Sequence, residues 1–589
     1  MNILMALSQL EITGAEVYAT TIGDRLTELG HNVSYVSDTL TMPHQGQFFG
    51  LRFNKRSLFR RFWHVGRLIY LIKKHKIQLV HAHSRASSWS CQVACKLIGV
   101  PLITTVHGRQ PVHKSRKLFR AMGDRTVAVC EAIAEQLIRE LEFEESQLQV
   151  IRNGVDASAF TPQPTPRNSK PIISIVGRLT GPKGEVCYRL LDEVLDLDRY
   201  QVQIISGSTL PDRFKSFLDR IDFAGHVSDI PSALAKADLV IGAGRVAIEA
   251  LLMERPTVAI GEAFAIGHLT LDNIQQAMTS NFGDIGPKDL QIDFQAIKRD
   301  VENALASPVN PPKLRETVLT EYELEEVTRK LEYLYQSTYV RKHKREMPII
   351  MYHRVTKDAS ERGVHGTWVD LKMLEKHFKL IKKMGFETIT FEDLKRDGMA
   401  SRLAPGRRSI MLTFDDGFAD NYHYLLPLLK KYNFKAVIYA VTGEVFNRWD
   451  VENPDNPEKR FELMTREQVK EMDASGLVEF GGHTQSHPRL SQLTEEEQIY
   501  EIETNKKILE QWIGKPLNSF AYPYGDLDRS SKLQAQKWGY PYAVATNSGP
   551  LPLHEDLYQI RRIAIFPRTN TFGLWRKIHG NYTFRKEKC

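Results

Sequence analysis

Short apolar runs alternate with longer amphipathic stretches along nearly the whole chain, the pattern of β-strands feeding helices in parallel β-α units. Apolar runs at Ile3–Leu7, Val33–Val36, Leu79–His81, Leu102–Val106, Thr126–Val129 and around Val150 predict strands, with helices over 15–29, 86–98 and 131–140 between them. That order predicts a doubly wound parallel sheet. It restarts at Pro171–Gly177 and continues through Val202–Ser206, Phe223–Val227, Asp238–Ile241 and Thr257–Ile260. Two Rossmann-like halves, 1–165 and 166–340, joined by the Pro-rich strip from Thr161 to Pro171, imply a cleft between them. One helix is expected over Leu314–Tyr339 to close the second half, and Arg341-Lys-His-Lys-Arg345 reads as an exposed basic linker within 341–347. A third region, 348–589, opens with a strand at Pro348–Val355 and carries further apolar runs at Ile410–Phe414 and Leu477–Phe480.

Length and composition fit that division. A chain of 589 residues is too long for one core, and 42% hydrophobic with 25% charged residues is the balance of a globular protein. Met1–Leu7 has no basic leader and reads as a first strand rather than a signal peptide. No apolar run approaches the roughly 18 residues of a spanning helix. The five cysteines, Cys91, Cys95, Cys130, Cys187 and Cys589, lack metal-ligand pairing, so a reduced, cytoplasmic setting is expected.

Charge is uneven. Between Asp38 and Asp124 there is no acidic residue but sixteen Lys and Arg, interleaved with Phe48, Phe49, Phe53, Phe59, Phe62, Trp63, Tyr70 and Phe119. Such a stretch is either a solvated face or an electropositive side that meets an anionic glycolipid or the anionic inner leaflet. No nucleic-acid-binding signature accompanies it, so nucleic acid is not an expected partner.

The chemistry concentrates where strands end. Ile410–Phe414 runs into Asp415 and Asp416, and Gly417 ends the strand. Successive residues leaving a strand point to opposite sides, so one carboxylate can bind a metal while the other stays free as a base. His483 and His487 follow the run Leu477–Phe480 and lie four apart, so one helical turn would set both imidazoles on one face. Asp416, His483 and His487 then form a two-His, one-carboxylate set with open positions, a catalytic rather than a structural metal site. In the first region Thr13-Gly14-Ala-Glu16 opens a helix whose bare N–H groups attract a phosphate or a sugar hydroxyl. Gly177-Arg-Leu-Thr-Gly-Pro-Lys-Gly184 sets Arg178 and Lys183 just past a strand, placed to neutralise a diphosphate. Glu249, after Gly242-Ala-Gly244-Arg245, is positioned to accept hydrogen bonds from a ribose diol.

Thr413-Phe-Asp-Asp-Gly417, His483-Thr-x-x-His-Pro488 and Ala521-Tyr-Pro-Tyr-Gly525 resemble the ordered motifs of NodB-type polysaccharide deacetylases, carbohydrate esterase family 4, over about 347–589. The resemblance implies a distorted (β/α) barrel and hydrolysis of an acetamido group. It implies Asp415 as base, Arg562 as the arginine that orients it, Asp416, His483 and His487 around a divalent metal (Zn²⁺ first), and Tyr522, Pro523 and Tyr524 at the substrate. Ala521 stands where many members have Arg. The late Leu-x-His motif is not evident, so Tyr352-His353 matches the early general acid of the poly-N-acetylglucosamine deacetylase subgroup, with His579 in reserve.

Val80-His-Ala-His-Ser84, Thr105-Val-His-Gly108, Val127–Ile133, Asn153-Gly-Val-Asp156 and Glu249-Ala-Leu251 resemble GT-B glycosyltransferases of family 4. That resemblance implies retaining transfer from a nucleotide sugar, UDP-N-acetylhexosamine being the expected donor. Arg178 and Lys183 would hold the diphosphate, Glu249 the ribose beside Gly244 and Arg245, and Gly14 and His107 would lie near the transferred sugar. The family often has Glu-x7-Glu, yet Ile241 stands eight residues before Glu249. The expectation is a bifunctional enzyme of surface glycan biosynthesis, acting on a glycolipid or lipopolysaccharide-core acceptor at the inner face of the membrane. The alternative is a deacetylase whose GT-B part is only a binding module.

Overall fold

A computed structural model describes the chain apart from residues 9–13, 56, 165–168, 208, 228, 288–290, 307–311, 344–345, 405, 547–552, 554 and 580–589. Thr13, Arg345 and Cys589 therefore lie outside the described residues. The chain forms two compact units, Met1–Tyr339 and Val340–Cys589.

The first unit holds two sheets. The first sheet is all parallel, in the order Gln47–Gly50, Asn32–Ser37, Asn2–Ala6, Leu79–Ala82, Leu102–Val106, Arg125–Ala128, Leu148–Val150. Its central strands are apolar on both faces because helices cover both. The edge strand Gln47–Gly50 and the helix Leu58–Lys74 were not anticipated. Both fall in the basic stretch, where the strand is largely exposed and carries no apolar run. The second sheet is parallel in the order Ile221–Gly225, Gln201–Ile205, Ile172–Val176, Leu239–Gly242, Thr257–Ile260, with Ala265–His268 added antiparallel at the edge.

The closing helix is two helices. Pro312–Tyr322 packs into the second half through Leu314, Val318 and Tyr322. Leu324–Lys342 then turns back onto the first half, where Val327, Leu331, Leu334 and Tyr335 join the core of Ile3, Met5 and Leu79. The break at Glu323 is fixed by Val155, whose N–H donates to Tyr322 O at 2.8 Å and whose carbonyl accepts from Leu324 N at 3.2 Å. The last helix thus belongs to the first half's core, not the second's.

The second unit is a curled, incomplete barrel of parallel strands: Tyr542–Val544, Ser519–Ala521, Val478–Gly482, Ala436–Ala440, Ser409–Phe414, Ile349–Tyr352, Ile563–Ala564, with Glu387–Thr388 also paired to Ser409–Phe414. Ser409–Phe414 is buried along its whole length, which explains its largely apolar character, and the one polar side chain in the run from Ile410, Thr413, donates to Ile350 O at 3.0 Å. Parallel pairing brings the residues after Tyr352, Phe414, Gly482 and Ala521 to one rim.

Leu331→Ala should test the return of the last helix to the first half. Truncating this fully buried Leu should lower the unfolding free energy of the first unit by about 2–5 kcal/mol in a denaturant titration. A change below about 0.5 kcal/mol would contradict the packing.

Candidate active sites

At the rim of the second unit, Asp416 Oδ1 lies 3.2 Å from His483 Nε2 and 3.3 Å from His487 Nε2. The three residues are buried, and one donor atom from each falls within 4.8 Å of the others. The two histidines do not share a helical turn. They sit in a loop where Thr484 (φ 67°) and His487 (φ 63°) are left-handed, and the His487 N–H donates to Thr484 Oγ1 at 3.0 Å. Asp416 is left-handed too (φ 74°), which turns its side chain away from that of Asp415.

The set fits a divalent cation. His483 Nδ1 is 2.7 Å from Ala521 O; a carbonyl only accepts, so the proton is on Nδ1 and Nε2 presents its lone pair. Asn505, on the helix Glu495–Ile513, clamps the loop: its Oδ1 accepts from His483 N at 3.0 Å, and its Nδ2 donates to Ala440 O at 2.9 Å and Thr484 O at 2.7 Å. Glu501 on the same helix takes the Gln485 and Ser486 N–H groups at 2.8 and 2.9 Å. Burial lowers the His487 pKa, keeping the ring neutral and able to ligate.

Beside this set, Arg562 grips both oxygens of Asp415, Nη1 to Oδ1 at 2.6 Å and Nη2 to Oδ2 at 2.7 Å. Arg562 is fully buried and is itself held by Ala545 O and Thr413 Oγ1, each at 3.1 Å. Burial alone would raise the pKa of Asp415. The charge and hydrogen bonds of Arg562, with smaller effects of His353 and His483, outweigh it and hold the carboxyl below its ordinary value. His353, half-buried at the end of Ile349–Tyr352, acts electrostatically on both Asp415 and Asp416, and its carbonyl accepts from Asn421 Nδ2 at 3.0 Å. His579 is exposed and paired with Trp575 O of its own helix.

The Tyr-Pro-Tyr segment splits its roles. Tyr524 (φ 58°) places its ring 4.6 Å from that of His487, under the Arg489 guanidinium. Tyr522 differs from the expectation of a substrate contact: it is fully buried and donates its hydroxyl to Tyr558 O at 3.0 Å, and Pro523 is buried beside it. These two brace the wall that Tyr524 presents. Unanticipated neighbours are Trp449, stacked on His487 at 4.4 Å, and Asp450, pushed up to about 6 by burial and then by the charge of Asp416. Asn505 left only a weak signal in the sequence, as one of three polar residues, with Gln498 and Glu501, that share the helix's buried face with Ile502 and Leu509.

In the first unit a cavity opens at the carboxyl ends of the adjacent strands Ile172–Val176 and Leu239–Gly242, where the chain order of the sheet reverses. Arg178, Lys183, Gly242 and Gly261 line it together with Ile241. Arg178 is largely exposed, and Lys183 Nζ reaches Asp284 Oδ2 at 2.8 Å. Gly244 (φ 56°) passes Asp284 so closely that a Cβ would stand 3.0 Å from its carboxylate. Arg245 and Glu249 are closed on each other at 2.6 Å, and Glu249 is buried, so its open acceptor oxygen is fewer than the sequence implied. Ile241 is 1% exposed and packs in the core of its half. Gly14 and His107 lie in the other half, where His107 Nε2 is 3.3 Å from His83 Nδ1 and both rings meet Tyr18.

The sequence matches Glycosyltransferase Family 4 over residues 12–159 and Polysaccharide deacetylase over 402–543. The chain joins a family 4 glycosyltransferase domain to a polysaccharide deacetylase domain. YxkH of Bacillus subtilis (strain 168) is 28% identical over 222 residues, 38% of this chain and 72% of that one. Poly-beta-1,6-N-acetyl-D-glucosamine N-deacetylase of Staphylococcus aureus (strain MSSA476) is 25% identical over 235 residues, 36% of this chain and 77% of that one. Among solved structures, a glycosyltransferase from Rickettsia africae ESF-5 is 22% identical with a TM-score of 0.48, covering 57% of this chain and 98% of that chain. The two domains together make the chain a bifunctional protein of glycan biosynthesis.

Asn505→Ala should weaken zinc binding by about 10–100-fold, read by competition with a chromogenic chelator. Unchanged affinity would mean that the Asn505 clamp does not set the ligand geometry.

Proposed function

We propose that the first unit transfers an N-acetylhexosamine from its UDP-sugar, with retention, to an anionic glycolipid or lipopolysaccharide-core acceptor. The second unit then removes the acetyl group from the sugar just added. The observation that carries this reading is the Asp416–His483–His487 set beside an Asp415 held ionised by Arg562.

In the deacetylase, Asp416, His483 and His487 would hold the divalent cation, zinc being favoured by two nitrogens and one carboxylate. When bound, that cation supplies Lewis-acid polarisation of the acetamido carbonyl and acidifies a water. Asp415 accepts the proton of the attacking water, and Arg562 keeps both carboxylate oxygens aimed and charged. The water oxygen bonds to the acetamido carbon as the carbonyl π pair moves onto its oxygen, and that oxyanion then collapses with cleavage of the C–N bond while His353 donates a proton to the departing amine. Acetate and a glucosamine-type sugar result. Tyr524 and Trp449, packed on His487, wall the site, and the backbone near Tyr524 is the expected donor to the oxyanion.

In the transferase, Arg178 and Lys183 would receive the diphosphate, Lys183 exchanging Asp284 for it. Contact with the acidic inner leaflet fits the helix Leu58–Lys74, which exposes Phe59, Phe62 and Trp63 at 83%, 72% and 58% among Arg60, Arg61, Arg67, Lys73 and Lys74. No helix among the described residues is long and apolar enough to cross a membrane. Ile241 in place of an acid favours a second reading, in which the first unit binds glycan or nucleotide without transferring sugar.

Asp415→Asn decides the assignment of the base. Acetate release should fall by about 10²–10⁴, while sugar transfer from the labelled donor stays at the wild-type rate. Wild-type acetate release by the variant would remove Asp415 from its role, and absence of transfer in the unaltered protein would favour the second reading.

A further inference from the structure

A cavity of about 130 Å³ lies at the carboxyl ends of Leu79–Ala82 and Leu102–Val106 in the first half. Ser84, Arg85, Ser88, His107, Gln110 and Arg116 contribute to its lining. Arg116 is the unusual member. It is 4% exposed, donates from Nη2 to the neutral Gln110 Oε1 at 2.9 Å, and its Nε has no partner. No ion pair of Arg116 occurs among the described residues. Burial, then the like charge of Arg85, pull its pKa down to about 10, so at neutral pH it remains a cation.

A buried guanidinium without a counter-ion is costly, and it does not discharge at neutral pH. No Asp or Glu is among the residues lining the cavity, and none lies between Asp38 and Asp124 in the sequence. The nearby acids are spent elsewhere: Glu140 pairs with Arg109 and Glu142 with Lys117. His83 and His107 add no charge, because burial lowers both, His107 to about 4. The first turn of the helix Arg85–Ile98 also faces this cavity and brings the positive end of its dipole, while the serine hydroxyls serve that turn, Ser88 Oγ donating to Ser84 O at 2.7 Å and Ser84 Oγ accepting from Ser87 N at 3.2 Å. Two guanidiniums and a helix start suit a dianion with several oxygens.

We infer that this pocket binds a phosphate monoester carried by the acceptor of the transferase, with Arg116 and Arg85 as its charge partners. The assignment to the acceptor rests on the proposed function: the donor's diphosphate goes to Arg178 and Lys183 in the second half, which leaves the acceptor to this half, where the family resemblance sets His107 near the transferred sugar. The same chemistry would also admit free inorganic phosphate.

The test uses the full-length protein with inorganic phosphate as probe, followed by ³¹P line broadening at low ionic strength. With UDP present at saturation to occupy the Arg178–Lys183 site, saturable phosphate binding is expected, weakened at least tenfold in Arg116→Gln and in the exposed Arg85→Gln, and unchanged in the exposed surface variant Lys298→Gln. Arg85→Gln keeps the test decisive if Arg116→Gln does not fold. No saturable binding, or binding that survives Arg85→Gln, would overturn the pocket. Transfer assays then separate the sources. Phosphate should inhibit competitively against a phosphorylated acceptor, and phosphatase treatment of that acceptor should raise its KM tenfold or more. Saturating phosphate that leaves transfer to the phosphorylated acceptor untouched would overturn the acceptor assignment. Absence of any transfer would count against the proposed function alone, because binding is read without turnover.

Discussion

The paired burial of Arg562 and Asp415 is the constraint on which the second unit's chemistry rests. Neither group tolerates the interior alone, and breaking such a pair costs about 3–5 kcal/mol. The pair ties the last strand's approach, at Arg562, to the end of the central strand Ser409–Phe414, across a rim already fixed by parallel hydrogen bonds. Tyr439 closes over the guanidinium at 5.3 Å. With Asp415 locked in this way, the left-handed turn at Asp416 has one direction left for its carboxylate, toward the two histidines. One buried ion pair therefore sets both the position of the base and the separation of its role from that of the metal ligand.

The first unit shows the opposite electrostatic arrangement. Lys183 and Arg245 are held by carboxylates that a ligand must displace or share, whereas Arg116 waits in a cavity with no acid of its own. The first arrangement suits a donor site that must release a nucleotide after transfer. The second suits recognition of charge on an incoming group. Both lie at carboxyl ends of parallel strands, where the fold leaves backbone donors unused.

Much of this was legible in the sequence because the strands are buried on both faces and so appear as runs of apolar and β-branched residues. Ile410–Phe414 and Leu102–Val106 are read almost to the residue for that reason. Asp416, His483 and His487 were legible as ligand types at strand ends, but not the loop that joins the histidines, because a left-handed His487 leaves no periodic trace. The edge strand Gln47–Gly50 and the break at Glu323 were illegible for a related reason. An edge strand needs no apolar alternation, and the break depends on a contact with Val155, far off in sequence. The inward direction of the Tyr522 side chain was not legible, because a motif gives residue types without the direction of each side chain. Arg116 was hidden in a basic stretch whose members look alike until burial distinguishes one from the rest.

The most direct measurement is proton NMR of the acetate methyl signal with the full-length zinc-loaded protein and UDP-N-acetylhexosamine, before and after a glycolipid acceptor is added. The account predicts no acetate from the nucleotide sugar alone, then acetate appearing together with UDP once the acceptor is present. Acetate from the nucleotide sugar alone would reverse the order of the two steps, and UDP without acetate would contradict the deacetylation of the transferred sugar.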